Sequence, residues 1–157
     1  MNASTHLAVG AAVGLASQSI LPADSDVASK VLLSLSAGFL SHIVLDASSH
    51  YEYTLKGLAL GAMLFAEISA VFVLVFSLNN GWLTNTVIFA GMAGGALPDV
   101  VNLVNKYIFS RPWIGNLGEI VHFFHFEQQK HPEPLFGFYF QVLITILAVM
   151  FVRFKSA

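Results

Sequence analysis

The sequence predicts an all-α fold: a bundle of about five transmembrane helices, with a further helix lying in the interface within the loop of residues 110–134. Three observations predict it. Hydrophobic residues make up 56% of the 157-residue chain and charged residues 10%, where soluble domains carry about a quarter. Mean hydropathy is +0.73. The apolar residues also fall in long runs, and a helix needs about 20 of them to cross a bilayer.

The first run, residues 5–21, is rich in Gly and Ala. Ser4 and Thr5 stand where an N-cap is expected and Pro22 where the helix should stop. No Lys or Arg precedes the run, so it is expected to stay as a span and not to act as a cleavable signal. The second run, residues 27–47, carries His42 and Asp46 near its end. The third, 58–78, is strongly apolar apart from Glu67. The fourth, 83–106, contains Pro98, which lacks the backbone donor a helix interior uses and is expected to open the helix there. The fifth is 136–152. Three glycine pairs spaced by four, Gly10 and Gly14, Gly57 and Gly61, Gly91 and Gly95, fit close helix contact in lipid. The length suits a single helical domain over 1–157.

Composition also narrows the function. Seven Lys+Arg against nine Asp+Glu leave no basic surface for a nucleic acid. The chain has no Cys, which excludes disulfides, thiolate metal ligands and a Cys nucleophile. Five spans put Lys56, Lys106, Arg111 and Lys130 on the face of the N-terminus, and Lys30, Arg153 and Lys155 on the other. That division is too even for the positive-inside rule to orient the protein.

Ionisable residues inside membrane segments are functional candidates by default. With five spans, all six His fall at the face of the N-terminus. His42, Asp46 and His50 succeed one another at steps of four, one helical turn apart along one side of a helix. Imidazole nitrogen and carboxylate oxygen are the usual oxygen and nitrogen donors for Zn. His6 opens the first helix at the same face, and Asp99 follows Pro98 there, as an ion ligand or as the cap of a restarting helix. His122 and His125, three apart in an aromatic run, complete the candidate metal ligands. Glu119, three residues before His122, is the candidate general base. His131, beside Pro132 in a polar tip, reads as a solvated loop residue, and Glu67 as structural or supporting.

These stretches carry a resemblance. Thr5-His6-Leu7-Ala8-Val9-Gly10, then Gly38-Phe39-Leu40-Ser41-His42-Ile43-Val44-Leu45-Asp46, then Leu97-Pro98-Asp99 and a later pair of His resemble the membrane-bound metal-dependent hydrolases, the family of the LexA-regulated inner-membrane hydrolase-like proteins. The early His and the His-x-x-x-Asp helix are also faintly similar to zinc-dependent phospholipase C. Val100-Val101-Asn102 and the spacing of His122 and His125 depart from the family pattern, which implies one metal ion in place of two, or no catalysis.

The resemblance implies a prokaryotic cytoplasmic (inner) membrane and a divalent metal, Zn first, with Mn or Fe as alternatives. The expected activity is hydrolysis of an ester or phosphoester in a membrane lipid or lipid-linked substrate, at a site opening beside aromatic residues at the membrane face. Two other classes stand beside it: a membrane protein that binds metal for structure or transport, and a scaffold that docks a partner. The oligomeric state is not legible in the sequence.

Overall fold

The computed structural model describes residues 3–47, 57–77, 81–107 and 134–156. All regular structure among them is helical. Helix α1 spans Ala3–Ser17 and continues into a 3-10 turn, Gln18–Ile20. Helix α2 is Val27–Asp46, α3 is Gly57–Phe76, α4 is Trp82–Tyr107 and α5 is Pro134–Ser156. The expected interfacial helix falls outside the described residues.

Among the described residues two helices are long and apolar enough to cross a membrane, at Val27–Asp46 and Gly137–Lys155, and α3 holds a shorter apolar stretch, Gly57–Val73. Only 17% and 22% of the two long windows are buried, unlike the core helix of a soluble protein. Among the described residues many large apolar side chains are instead exposed, Leu32, Leu40, Val44, Phe65, Leu147 and Phe154 among them. Several polar groups lie inside, namely Thr5, His6, Ser34, His42, Asp46 and Gln141.

Helix α1 is the central element and touches α2, α3, α4 and α5. Its own interior-facing residues are small or aliphatic, Leu7, Ala8, Ala11 and Leu15, and they pack with Val71, Ile88, Met92 and Val152 from its neighbours. Glycines let α1, α2 and α4 approach backbone to backbone. A Cβ on Gly91 would overlap the carbonyl oxygen of Gly10, and one on Gly38 would overlap the carbonyl oxygen of Gly91. Gly94 is pressed in the same way against Leu35 of α2. The order of these contacts makes α1 antiparallel to α4 and α2 parallel to it. Among the described residues Gly57 and Gly61 do not belong to such a seam, since a Cβ on either meets none of them within 4 Å. Gly57 instead starts α3 with a φ of 58°, in the left-handed region where glycine avoids the Cβ clash.

The ends of the helices are tied by side chains. Thr5 lies inside α1 and does not cap it, because the helix begins at Ala3. The Thr145 hydroxyl donates to the Gln141 carbonyl at 2.8 Å, so the Thr5 hydroxyl, 2.9 Å from Thr145 Oγ1, is the donor between the two. At the far end Gln18 Nε2 donates to Ser34 Oγ at 2.8 Å and to the Lys30 carbonyl at 3.2 Å, and Ser34 Oγ donates to the Gly14 carbonyl at 3.0 Å.

Asp26 caps α2: its carboxylate accepts from the Ser29 backbone N–H at 2.8 Å and from the Ser29 hydroxyl at 2.7 Å. These bonds, the backbone one foremost, hold its pKa below the ordinary value. A lowered pKa means stabilisation that is present above the unfolded-state value and is lost as pH falls through the folded-state value. Asp26→Ala is therefore expected to lower the melting temperature at neutral pH and to differ little from wild type in strong acid. Thermal melts of both proteins at the two pH values check this, and an equal deficit at both would refute the cap's contribution.

Candidate metal centre

The site forms where the first turns of α1 meet the last turn of α2 and the middle of α4. The His-x-x-x-Asp spacing places His42 and Asp46 one turn apart on α2, with His42 Nε2 2.9 Å from Asp46 Oδ2. The other oxygen of the same carboxylate faces α1, with Asp46 Oδ1 3.1 Å from His6 Nε2. Asp46 thus bridges two imidazoles from two helices. The rings stack, their centroids 3.9 Å apart and their planes 24° from parallel. All three side chains are buried, His6 to 1% and His42 and Asp46 to 3% exposure.

The fourth group comes from α4. Asp99 Oδ1 lies 3.9 Å from His42 Nε2, and its side chain is 37% exposed. One ligand atom each from His6, His42 and Asp99 lies within 4.8 Å of the others. Helix α4 runs unbroken through Pro98 to Tyr107, so the opening expected there does not form and Asp99 is not the cap of a restarted helix. The neighbouring helices hold the chain helical, and the missing proline donor leaves only the Gly94 carbonyl without its usual partner.

His42 is oriented from behind. Its Nδ1 lies 2.6 Å from the Gly95 carbonyl oxygen. A carbonyl only accepts, so Nδ1 carries the proton and Nε2 is the nitrogen turned toward Asp46 and Asp99. Metal-bound His residues are held in this manner by a carbonyl or carboxylate on the second nitrogen. The close approach depends on Gly95, whose Cβ position lies 2.5 Å from the His6 carbonyl oxygen. His6 differs: neither of its buried ring nitrogens has a hydrogen-bond partner among the described residues. Its Nε2 faces Asp46 as an ion-pair neighbour at 3.1 Å.

His6, His42 and Asp99 form a group whose geometry could hold a metal ion, one ligand atom from each lying within 4.8 Å of the others. Asp46 is paired directly to the two imidazoles, through Oδ1 to His6 and Oδ2 to His42.

Of the residues picked from sequence, His6, His42, Asp46 and Asp99 come together from three helices. His50, Glu119, His122 and His125 lie outside the described residues, as does His131. Glu67 is half-buried ten residues into α3, about 15 Å along that helix. The Gly95 carbonyl and the Thr5–Thr145 tie had no place in the sequence reading; the one available signal for the first was the Gly94-Gly95 pair ahead of Pro98. No protein-family model matches the chain, and no curated protein or solved structure matches it.

Proposed function

We propose that the protein is an integral-membrane, metal-dependent hydrolase whose five helices span the bilayer. Its substrate class is an ester or phosphoester of a membrane lipid or lipid-linked molecule. The observation that carries the reading is His6. Among the described residues neither nitrogen of this buried imidazole has a hydrogen-bond partner, and such a group is costly. A cation shared with His42 and a carboxylate would satisfy it, and His6, His42 and Asp99 each offer a ligand atom within 4.8 Å of the others. His6 and His42 would hold the ion, with Asp46 paired beside them and Asp99 facing it from the exposed side. When bound, a Zn ion lowers the pKa of its water toward neutrality and polarises the scissile group. The protein's own part is to fix the His42 ring through Gly95, to keep three donors dry, and to leave one side open.

The membrane reading rests on the inverted distribution of side chains. Leu, Ile and Phe cover the outside while His, Asp, Gln and Thr are buried, which water disfavours and lipid favours. A prokaryotic inner membrane and the hydrolase family belong to the proposal through the resemblance of the motifs at His6, His42-Asp46 and Asp99.

An ion held by three helices would also staple the bundle, which is the competing reading. Transport is disfavoured, because the α1–α2–α4 seam beyond the site is closed by direct backbone contact at Gly10, Gly38 and Gly91. Metal analysis by mass spectrometry on protein purified without chelators, with hydrolysis of phospholipid and lipid-linked phosphoesters measured on the same sample, tests the proposal. Bound metal with turnover is expected. Metal without turnover on either substrate class assigns the site to structure, and protein free of metal after reconstitution with Zn, Mn and Fe refutes the centre.

A further inference from the structure

We propose that Asp99 is the port of this centre, the carboxylate through which a divalent cation enters and leaves, and that the buried residues anchor the ion. The inference rests on the metal-binding reading above and concerns how the site is loaded.

Its basis is an asymmetry among four side chains. His6, His42 and Asp46 are exposed by 1–3%, Asp99 by 37%. Asp99 also stands farther from His42 Nε2, at 3.9 Å, than Asp46 does at 2.9 Å. The described residues close the other sides of these side chains. The His42 ring is pinned against Gly95, and the His6 ring lies against the His42 ring. The Gly95 backbone abuts the His6 carbonyl, and the glycine seam lies beyond. Among the described residues Asp99 is thus the member of the group that a hydrated ion reaches while the other donors are still enclosed.

A cation in water carries a shell that it must shed before entering a dry pocket. An exposed carboxylate takes the ion with part of that shell in place, and the buried nitrogens then replace remaining waters. Its charge also concentrates cations at the mouth, an effect that raises association rates by about 10- to 1,000-fold. A port speeds entry and exit alike, so it changes rates more than affinity.

Co²⁺ is the probe. Uptake by the full-length, detergent-solubilised protein is followed by visible absorption, loss by transfer to excess EDTA, and affinity by titration. Asp99→Asn keeps the shape and removes the charge. It is expected to slow uptake by about tenfold or more, with loss slowed in step, while affinity moves far less than either rate. Asp99→Glu restores fast uptake. Added salt slows uptake by wild type and leaves the Asn variant nearly unaffected. Unchanged uptake in Asp99→Asn overturns the port. So does a collapse of affinity at unchanged uptake rate, which makes Asp99 an anchoring ligand. Wild-type protein that takes up no Co²⁺ refutes the metal centre itself, an outcome separate from both.

Discussion

Replacing His42 by alanine is expected to strip the protein of nearly all its metal. Removing a partner that merely orients a ligand typically costs about 10- to 100-fold in metal affinity, and removing the ligand itself costs more. His42 is a severe case. Its loss deletes a donor, leaves the buried Asp46 facing one imidazole in place of two, and removes the ring against which His6 stacks. Metal content by mass spectrometry and gel-filtration profile would be measured on wild type, His42→Ala and His131→Ala. His131 stands beside Pro132 in a polar stretch of the sequence and is not among the candidate ligands, so its variant should keep wild-type metal. Full metal in His42→Ala would reduce the His42–Asp46 pair to a polar helix end.

The second large effect is expected at Gly91, where one added methyl should break the bundle. Its Cβ would overlap the Gly10 carbonyl oxygen and stand 3.0 Å from the Gly14 Cα. Both obstacles are backbone, so no rotamer change relieves them. Overpacking of this kind costs about 1–3 kcal/mol and occasionally more. Because Gly91 touches both α1 and α2, separation there also loosens His6 and His42. Gly61→Ala is the matched control, since a Cβ there meets no described residue within 4 Å. Thermal denaturation in detergent should show a marked loss for Gly91→Ala and none for Gly61→Ala. Equal melting temperatures would show that the helices part without penalty.

The five helices were legible because each follows an apolar run, and run length is a property of local sequence. The observed helices begin and end within a few residues of the runs. Partnership was less legible. Three glycine pairs share one spacing, yet Gly10, Gly14, Gly91 and Gly95 meet while Gly57 and Gly61 meet no described residue within 4 Å. Spacing states which residues share a helix face and is silent on what that face meets. Gly38 and Gly94 belong to the same seam without a matching pair of their own. Thr5 was misread as a cap for a related reason: its hydroxyl is used 140 residues away, by Thr145.

In the site, His42 and Asp46 were legible from a four-residue step, and His6 from its place at the same end of the bundle. The role of Pro98 was not. Proline weakens a helix locally, but α4 is packed on both α1 and α2 around that point and stays helical. The holder of His42 was beyond reach, because a backbone carbonyl looks the same in every sequence.

That holder has a consequence for variation. A carboxylate or amide in the place of the Gly95 carbonyl could be erased by one base change, and the ring it supports would then swing free. A main-chain oxygen is present whatever residue stands at 95. Substitution there can only push the acceptor aside, by the bulk of what is added against the His6 carbonyl. A saturation library at position 95 should therefore rank by side-chain volume, with serine and alanine the mildest and polarity of no account, whereas a library at 46 should rank by chemistry.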